Sequence, residues 1–189
     1  METILKQMKL FDLCSYEHSI NVGILAHRFS EYLNAKFLSN IDTCLAKLCG
    51  EYHDIGKMKL NHEILNKTSK LTDEEFIHIK KHPEFGVEYI QSEELLLPEE
   101  VVFCVLYHHK GFKNNGYPAV DVEIPAHVMN YIDIIAICDI FEALTHKRPY
   151  KENLSLEKSL DIMSKSDINP FLYHNFKDFV QTNEIKLVI

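Results

Sequence analysis

Hydrophobic residues recur at helical spacing along most of the 189-residue chain. Between residues 15 and 35, Ile20, Ile24, Phe29 and Leu33 fall near one face of a helix, as the helical period of about 3.6 residues requires. The same reasoning predicts six further helices, at residues 42–55, 73–92, 98–109, 125–145, 155–166 and 170–181. Because no alternating apolar and polar series is long enough for a sheet, the sequence predicts an all-α fold.

Capping residues and proline mark several helix boundaries. Ser15 and Asp42 can each accept a hydrogen bond from the first turn of the first two predicted helices, and Gly56 is placed to end the second. Pro83 falls inside the predicted helix 73–92. It should kink or split that helix, because proline removes one hydrogen bond and clashes with the preceding turn.

Two segments depart from the ordinary amphipathic pattern. Residues 125–145 are almost wholly apolar, which predicts a central helix buried on nearly all sides. Residues 111–125 read as one long loop, with an Asn-Asn-Gly turn signal at 114–116.

The tail 182–189 fits either a short strand or a docking extension. Because no repeat or linker divides the chain, residues 1–189 are expected to form a single domain.

Composition and net charge limit the kinds of molecule that the chain is expected to bind. The net charge is −8 with no long basic run, so binding to a DNA or RNA duplex is not expected. A small anionic substrate is compatible with this charge, because metals and a few cations can reverse the field inside a cleft. The first residues printed do not have the layout of a signal peptide, and no apolar run reaches the roughly 20 residues that span a membrane. The five cysteines have no disulfide-framework spacing, and the chain is expected to be cytoplasmic, without membrane contact.

Asp139 is the most informative single position, because it lies within an apolar run, residues 134–141. A buried carboxylate is costly unless it is paired, hydrogen-bonded or bound to a metal. A salt bridge or a helix cap is the alternative to a metal. Asp133, nearer the start of the helix, suits that alternative role better.

A second feature is the sequence His53-Asp54-Ile55-Gly56-Lys57 at the end of an apolar helix. Neighbouring helical residues are about 100° apart, so His53 and Asp54 can both lean toward one ion while the carboxylate reaches a second. Gly56 lets the chain turn, and Lys57 then places a cation beside any anion held there. The dipeptide alone is uninformative; its context makes it a candidate site.

Eleven histidines are unusual in a chain of this length, and histidine is the commonest metal ligand. Four lie where ligands are expected, early in the first long helix, just before Pro83 and as a pair ending an apolar helix: His18, His82, His108 and His109. With His53, Asp54 and Asp139 they make seven N and O ligands, which suit iron, manganese, zinc or nickel. That is too many for one ion, so two metals are predicted if the set converges. Six histidines are interpreted as surface or structural residues: His27, His62, His78, His127, His146 and His174.

Five motifs occur in order along the chain: His53-Asp54-Ile55-Gly56-Lys57, His82-Pro83, His108-His109, Gly116-Tyr117-Pro118, and Asp139 followed by Arg148-Pro149-Tyr150-Lys151. Each motif is weak alone, but the ordered set is specific. It resembles the HD-GYP branch of the HD phosphohydrolase superfamily, and the resemblance covers roughly residues 14–181.

The resemblance implies an all-α HD-domain helical bundle that hydrolyses cyclic di-GMP to pGpG, GMP or both. It implies two divalent metals, iron or manganese first, with zinc, nickel and magnesium as alternatives. The implied ligands are His18, His53, Asp54, His82, His108, His109 and Asp139. Asp54, bridging the metals, and Lys57, contacting the scissile phosphate, are the implied catalytic residues. The implied nucleotide contacts are Gly116, Tyr117, Pro118, Glu142, Arg148 and Lys151.

Two departures from the family pattern bear on substrate and metal count. Lys110 and Lys113 replace acidic residues and Asn114 replaces a glycine, so the local charge is reversed and the identity of the cyclic dinucleotide stays open. Asparagine tolerates positive φ, which allows the turn to survive. Members with three metals carry a glutamate where this chain has Cys14, and two metals are therefore predicted.

Two other functions remain open from the sequence. One is an HD phosphohydrolase for another nucleotide, such as 3′,3′-cGAMP. The other is a binding module that senses a cyclic dinucleotide without cleaving it. The sequence shows no obvious sensor or receiver domain. The chain is therefore expected either to be a fragment of a longer regulator or to be regulated through a protein partner, a homodimer or the metal redox state.

Overall fold

The computed structural model describes residues 2–146 and 153–182, and every regular element in those ranges is helical. The α-helices are α1 Glu2–Phe11, α2 Leu13–Phe37, α3 Thr43–Tyr52, α4 His62–Leu65, α5 Asp73–Ile79, α6 His82–Ser92, α7 Glu99–Tyr107, α8 Ala126–Thr145, α9 Leu156–Ser164 and α10 Pro170–Thr182. A 3-10 helix, Ile55–Lys59, lies between α3 and α4. The predicted all-α class is confirmed.

At the start of α2, the capping residue lies upstream of the predicted one. α2 begins at Leu13, and the Oδ1 of Asp12 accepts a hydrogen bond from the backbone N–H of Ser15 at 2.7 Å. The prediction of Ser15 as the cap was therefore wrong, because the aspartate three residues earlier supplies the acceptor. Asp42 caps α3 as predicted, accepting from the N–H of Leu45 at 3.0 Å.

The predicted break at Pro83 is confirmed. α5 ends at Ile79, and α6 starts at His82 with Pro83 in its first turn, where a missing N–H costs no helical hydrogen bond. Thr72 and Glu75 close the start of α5 with a reciprocal capping box. The break places His82 at the first position of a new helix.

α8 is the central helix of the domain, as its apolar sequence predicted. It packs against α2, α3, α7, α9 and α10, and its buried side chains include Ile132, Ile135 and Ile137. Asp139 and Glu142 are buried on the same helix. The core therefore surrounds the element that carries two carboxylates into the interior.

Helices α2 and α3 approach each other closely at Gly23 and Gly50. A Cβ atom added to Gly50 would lie 2.6 Å from the Cα of Gly23, so only glycine permits this crossing. α2 carries His18, and the residue that follows α3 is His53. The contact therefore brings the two histidine-bearing segments together.

The remaining segments complete the domain without further helices. Residues 111–125 form the long loop that the sequence predicted. The tail beyond Thr182 lies outside the described residues. Within the described ranges, no helix combines the length and the apolar character needed to cross a bilayer.

Candidate metal centre

Side chains from five segments of the chain, α8 among them, meet in one place. Each predicted ligand comes from the end of a helix or from a buried helix face: His18 from α2, His53 and Asp54 directly after α3, His82 from the start of α6, His108 and His109 directly after α7, and Asp139 from α8. Helix ends are suited to this, because the chain can turn there and leave a side chain pointing inward. The structure brings all seven predicted ligands together.

Asp54 lies between two pairs of histidines. Its Oδ2 is 3.3 Å from Nε2 of His53 and 3.4 Å from Nε2 of His18. Its Oδ1 is 3.2 Å from Nε2 of His82 and 3.8 Å from Nε2 of His108. A carboxylate that offers one oxygen to each of two ligand sets has the geometry of a bridge between two ions.

The carboxylate of Asp139 also lies close to histidines of both groups. Its Oδ1 is 3.0 Å from Nε2 of His18 and 4.0 Å from Nε2 of His53, and its Oδ2 is 3.9 Å from Nδ1 of His109. Asp133 makes an ordinary structural contact instead, accepting a hydrogen bond from Asn169 at 2.9 Å. The two aspartates of α8 therefore differ in their contacts: Asp139 faces histidines and Asp133 faces an amide.

The donor atoms form three overlapping groups, each compact enough to hold an ion. Within each group all donors lie within 4.8 Å of one another: His18, His53 and Asp54; His82, His108 and His109; and His53, His108 and Asp139. Nε2 of His53 and Oδ1 of Asp54 are buried without a hydrogen-bond partner. An unsatisfied buried polar atom costs about 1–3 kcal/mol, so a cation between these atoms fits the residues present.

Backbone carbonyls orient three of the imidazoles. Nδ1 of His53, His82 and His108 donates to a carbonyl three or four residues earlier, at 2.7, 2.8 and 2.9 Å. A carbonyl oxygen can only accept, so Nδ1 carries the proton in each ring and Nε2 keeps its lone pair. All three lone pairs then face the centre, an arrangement typical of metal-binding histidines.

Glu142 performs the same task for His18. Its carboxylate is hydrogen-bonded to Nδ1 of His18 and accepts from Nδ2 of Asn21 at 3.1 Å, while Nδ1 of His146 lies 3.7 Å away. Glu142 has no exposed surface. Its position therefore contradicts the expected contact with the nucleotide, because the carboxylate lies behind the ligand. The one-turn spacing from Asp139 was the sequence signal that could have indicated a shared histidine.

Electrostatics favour the metal-binding protonation states of three of the histidines and of Asp54. Burial lowers the pKa values of His82, His108 and His109 to about 3. Burial would raise the pKa of Asp54, yet Lys57 and His53 hold it well below its usual range. Neutral imidazoles and ionised carboxylates are the forms that bind divalent metals.

Lys57 lies beside the centre on the 3-10 helix, with its ammonium group in contact with Oδ2 of Asp54. The backbone N–H of Lys57 donates to the carbonyl of Asp54 at 2.9 Å, so the turn after Asp54 fixes where the side chain starts. The structure places this lysine next to the carboxylate of Asp54.

The tripeptide Gly116-Tyr117-Pro118 folds back onto the centre. The ring of Tyr117 stacks on His109, with centroids 4.7 Å apart and planes at 28°, and its N–H donates to the carbonyl of His109 at 2.9 Å. A Cβ atom on Gly116 would lie 1.6 Å from that carbonyl oxygen, so glycine is required for this approach. A cleft of about 220 Å³ opens beside Gly116, Asp139 and Asp167.

The lysines that replace acidic residues in the loop lie in different places. Lys110 is only 5% exposed, and its ammonium donates to the carbonyl of Gly111 at 3.0 Å, on the side of the cleft wall that faces Asp133. The expectation of a reversed charge at the substrate therefore does not hold for Lys110, because the chain turns its ammonium inward. Lys113 is exposed, and Asn114 has a positive φ of 59°, as predicted.

Two predicted nucleotide contacts, Arg148 and Lys151, lie outside the described residues. Cys14, at the position of the glutamate in three-metal relatives, is partly buried on α2. Its thiol adds no carboxylate to the ligand set. The described site therefore consists of the seven ligands, Glu142, Lys57 and the Gly116-Tyr117-Pro118 segment.

Comparison with known proteins agrees with this architecture. Residues 15–160 match the HD domain family, and the chain belongs to that family. The HD domain of the phosphodiesterase PgpH of L. monocytogenes, solved in complex with cyclic-di-AMP, superposes with a TM-score of 0.65 at 19% identity. The match covers 97% of this chain and 99% of that one. At this identity the likeness shows a shared fold.

Two curated relatives are named for different substrates. A cyclic di-GMP phosphodiesterase of Pseudomonas aeruginosa is 31% identical over 161 residues, which are 85% of this chain and 37% of that protein. A 3′3′-cGAMP-specific phosphodiesterase of Vibrio cholerae is 31% identical over 156 residues, 79% of this chain and 33% of that protein. The chain thus spans about a third of the length of these relatives.

Proposed function

We propose that this domain is a metal-dependent phosphodiesterase of the HD-GYP branch that hydrolyses cyclic di-GMP to pGpG, GMP or both. The observation that carries the proposal is the position of Asp54, with one oxygen toward His18 and His53 and the other toward His82 and His108. Phosphodiester hydrolysis requires charge stabilisation on both the attacking and the leaving oxygen, and paired ions supply it.

Two divalent metals, iron or manganese, are the proposed cofactors. One set of donors is His18, His53, Asp54 and Asp139, and the other is His82, His108, His109 and the second oxygen of Asp54. Bound there, the metals would lower the pKa of a coordinated water and polarise the phosphoryl oxygens. The thiol of Cys14 in place of a carboxylate supports two ions rather than three.

The surrounding residues orient and neutralise the reacting phosphate. Lys57, already next to Asp54, donates to a phosphoryl oxygen as negative charge builds up in the transition state. Glu142 holds His18 in one orientation, and Tyr117 covers His109. Gly116, Tyr117 and Pro118 form one wall of the nucleotide site, and Arg148 and Lys151 are proposed as further phosphate contacts.

A second candidate substrate is 3′,3′-cGAMP. It is favoured by the relatives, since a cyclic di-GMP enzyme and a cGAMP enzyme are each 31% identical to this chain. Both molecules carry two phosphodiester groups and at least one guanine. The metal centre described above handles either one by the same chemistry, so the choice is made at the nucleobases.

The test is turnover by anaerobically purified protein loaded with ferrous iron or manganese. Cyclic di-GMP, 3′,3′-cGAMP and cyclic-di-AMP are incubated separately, and products are separated by ion-pair chromatography. We expect pGpG or GMP from cyclic di-GMP and none from an Asp54→Ala variant. Nucleotide binding without hydrolysis by fully metal-loaded protein would instead identify a sensing module.

A further inference from the structure

Lys80 places a second cation at the edge of the metal centre. It ends α5, two residues before His82, and its ammonium lies 4.4 Å from the ring centroid of Tyr117. The ring of Phe76, one turn earlier on α5, is 5.7 Å from the same ammonium. The side chain is thus partly buried and held between two aromatic rings.

The charge of Lys80 has no acidic partner within the described ranges. Lys57 is in contact with Asp54, and Lys110 is turned inward onto the carbonyl of Gly111. Among the residues that the structure describes, no carboxylate lies within the 4.0 Å of an ion pair from the ammonium of Lys80. In a chain of net charge −8, a cation that packs against aromatic rings instead of a carboxylate is available to an anion.

Tyr117 separates this cation from the metal ligands. The ring stacks on His109 and meets His82 edge-on, with centroids 6.3 Å apart. The ammonium of Lys80 also packs against this ring. An anion bound by Lys80 therefore lies beside Tyr117, outside the group of atoms that surrounds Asp54.

We propose that Lys80 binds the phosphate of a cyclic dinucleotide that is not being cleaved, while the scissile phosphate lies at the metal centre beside Lys57. This inference rests on the proposed function, because it requires a substrate with two phosphodiester groups. Packing against two rings restricts the rotamers of Lys80, so less entropy is lost when the phosphate binds. Lys80 thus favours ligands that carry a second, negatively charged phosphate group.

The experiment compares two substrates that differ in the number of phosphates. Cyclic di-GMP carries two, whereas bis(p-nitrophenyl) phosphate carries one and reports on the metal centre alone. For Lys80→Gln we expect the KM for cyclic di-GMP to rise roughly tenfold, with kcat changed less than about twofold. The salt dependence of that KM should also weaken, because one screened charge contact is lost. Lys80→Arg should restore most of the affinity.

The matched control is Lys81→Gln, at the exposed neighbouring position, which should leave both substrates unaffected. Metal content is measured for each variant, because both lie next to His82. Equal loss on both substrates, or an unchanged KM for cyclic di-GMP in Lys80→Gln, would reject the role of Lys80 alone. The proposed function would be rejected as well if the wild-type protein cleaved bis(p-nitrophenyl) phosphate but neither bound nor hydrolysed cyclic di-GMP.

Discussion

The carboxylate of Glu142 is hydrogen-bonded to Nδ1 of His18, at a point where Glu142 has no exposed surface. Burial by itself would lower the pKa of His18, but the hydrogen bonds from its ring to Asp139 and Glu142 raise it. The contact fixes the orientation of the ring and makes it a stronger ligand. Outer-shell carboxylates of this kind contribute to metal affinity without touching the metal.

Glu142→Gln should weaken metal binding by about 10–100-fold and lower turnover at limiting metal. The amide keeps the size of the side chain and one acceptor oxygen but loses the charge that favours the His18 contact. Affinity is measured by competition with a chromogenic chelator, and excess metal should restore much of the activity. Glu157→Gln, exposed on α9, is the control. Unchanged affinity in Glu142→Gln would show that the carboxylate is only structural.

Asp54→Asn should lower kcat by at least about 1,000-fold, because an amide cannot offer an anionic oxygen to both histidine pairs. Metal analysis is expected to show one or both ions lost, while circular dichroism shows an unchanged helix content. Asp161→Asn, on the exposed side of α9, should behave as the wild type. Retention of both metals and of full activity would exclude a bridging role for Asp54.

Tyr117→Phe should keep kcat/KM within about threefold, whereas Tyr117→Ala should lower it by about tenfold or more. The reason is that the ring contacts His109 by stacking, and phenylalanine preserves this contact. Burial also raises the pKa of the Tyr117 phenol above its usual range, so the hydroxyl stays neutral throughout the assay range. If both variants lost activity equally, the hydroxyl rather than the ring would be the important group.

Asp12→Ala should lower the free energy of unfolding by about 1–2 kcal/mol at pH 7, through loss of the α2 cap. Burial would raise the pKa of Asp12, but hydrogen bonds from Ser15 and Asn66 keep it below its ordinary value. Its stabilising contribution is therefore present above the unfolded pKa of about 3.9 and is lost as the pH falls through the folded pKa.

Urea denaturation at pH 7 and pH 3 checks this prediction. The difference between the wild type and Asp12→Ala should shrink at the lower pH. A difference that stays constant between the two values would mean that the charge of Asp12 contributes nothing beyond the geometry of the cap.

Most of the candidate centre could be predicted because its ligands carry strong local signals. Asp139 is conspicuous inside an apolar helix, and His108 and His109 end another one. Burying such groups costs free energy, so their position in the sequence already requires a partner. Pro83 likewise fixed a helix break through its own covalent geometry.

The features that sequence reasoning missed depend on tertiary packing. α1 was not predicted, because only Ile4 and Met8 of its apolar residues are buried, and they become so when the helix packs against α2 and the 3-10 helix. The inward turn of Lys110 follows from the fold of its loop, and the burial of Glu142 follows from the position of α2 over α8. No local pattern encodes either relation.

The contact between Gly23 and Gly50 has a consequence for how this centre tolerates sequence change. At this crossing backbone lies directly against backbone, so a side chain at either glycine would push apart the segments that carry His18 and His53. Alanine at Gly23 or Gly50 would therefore be expected to disturb ion binding as well as the packing of the two helices.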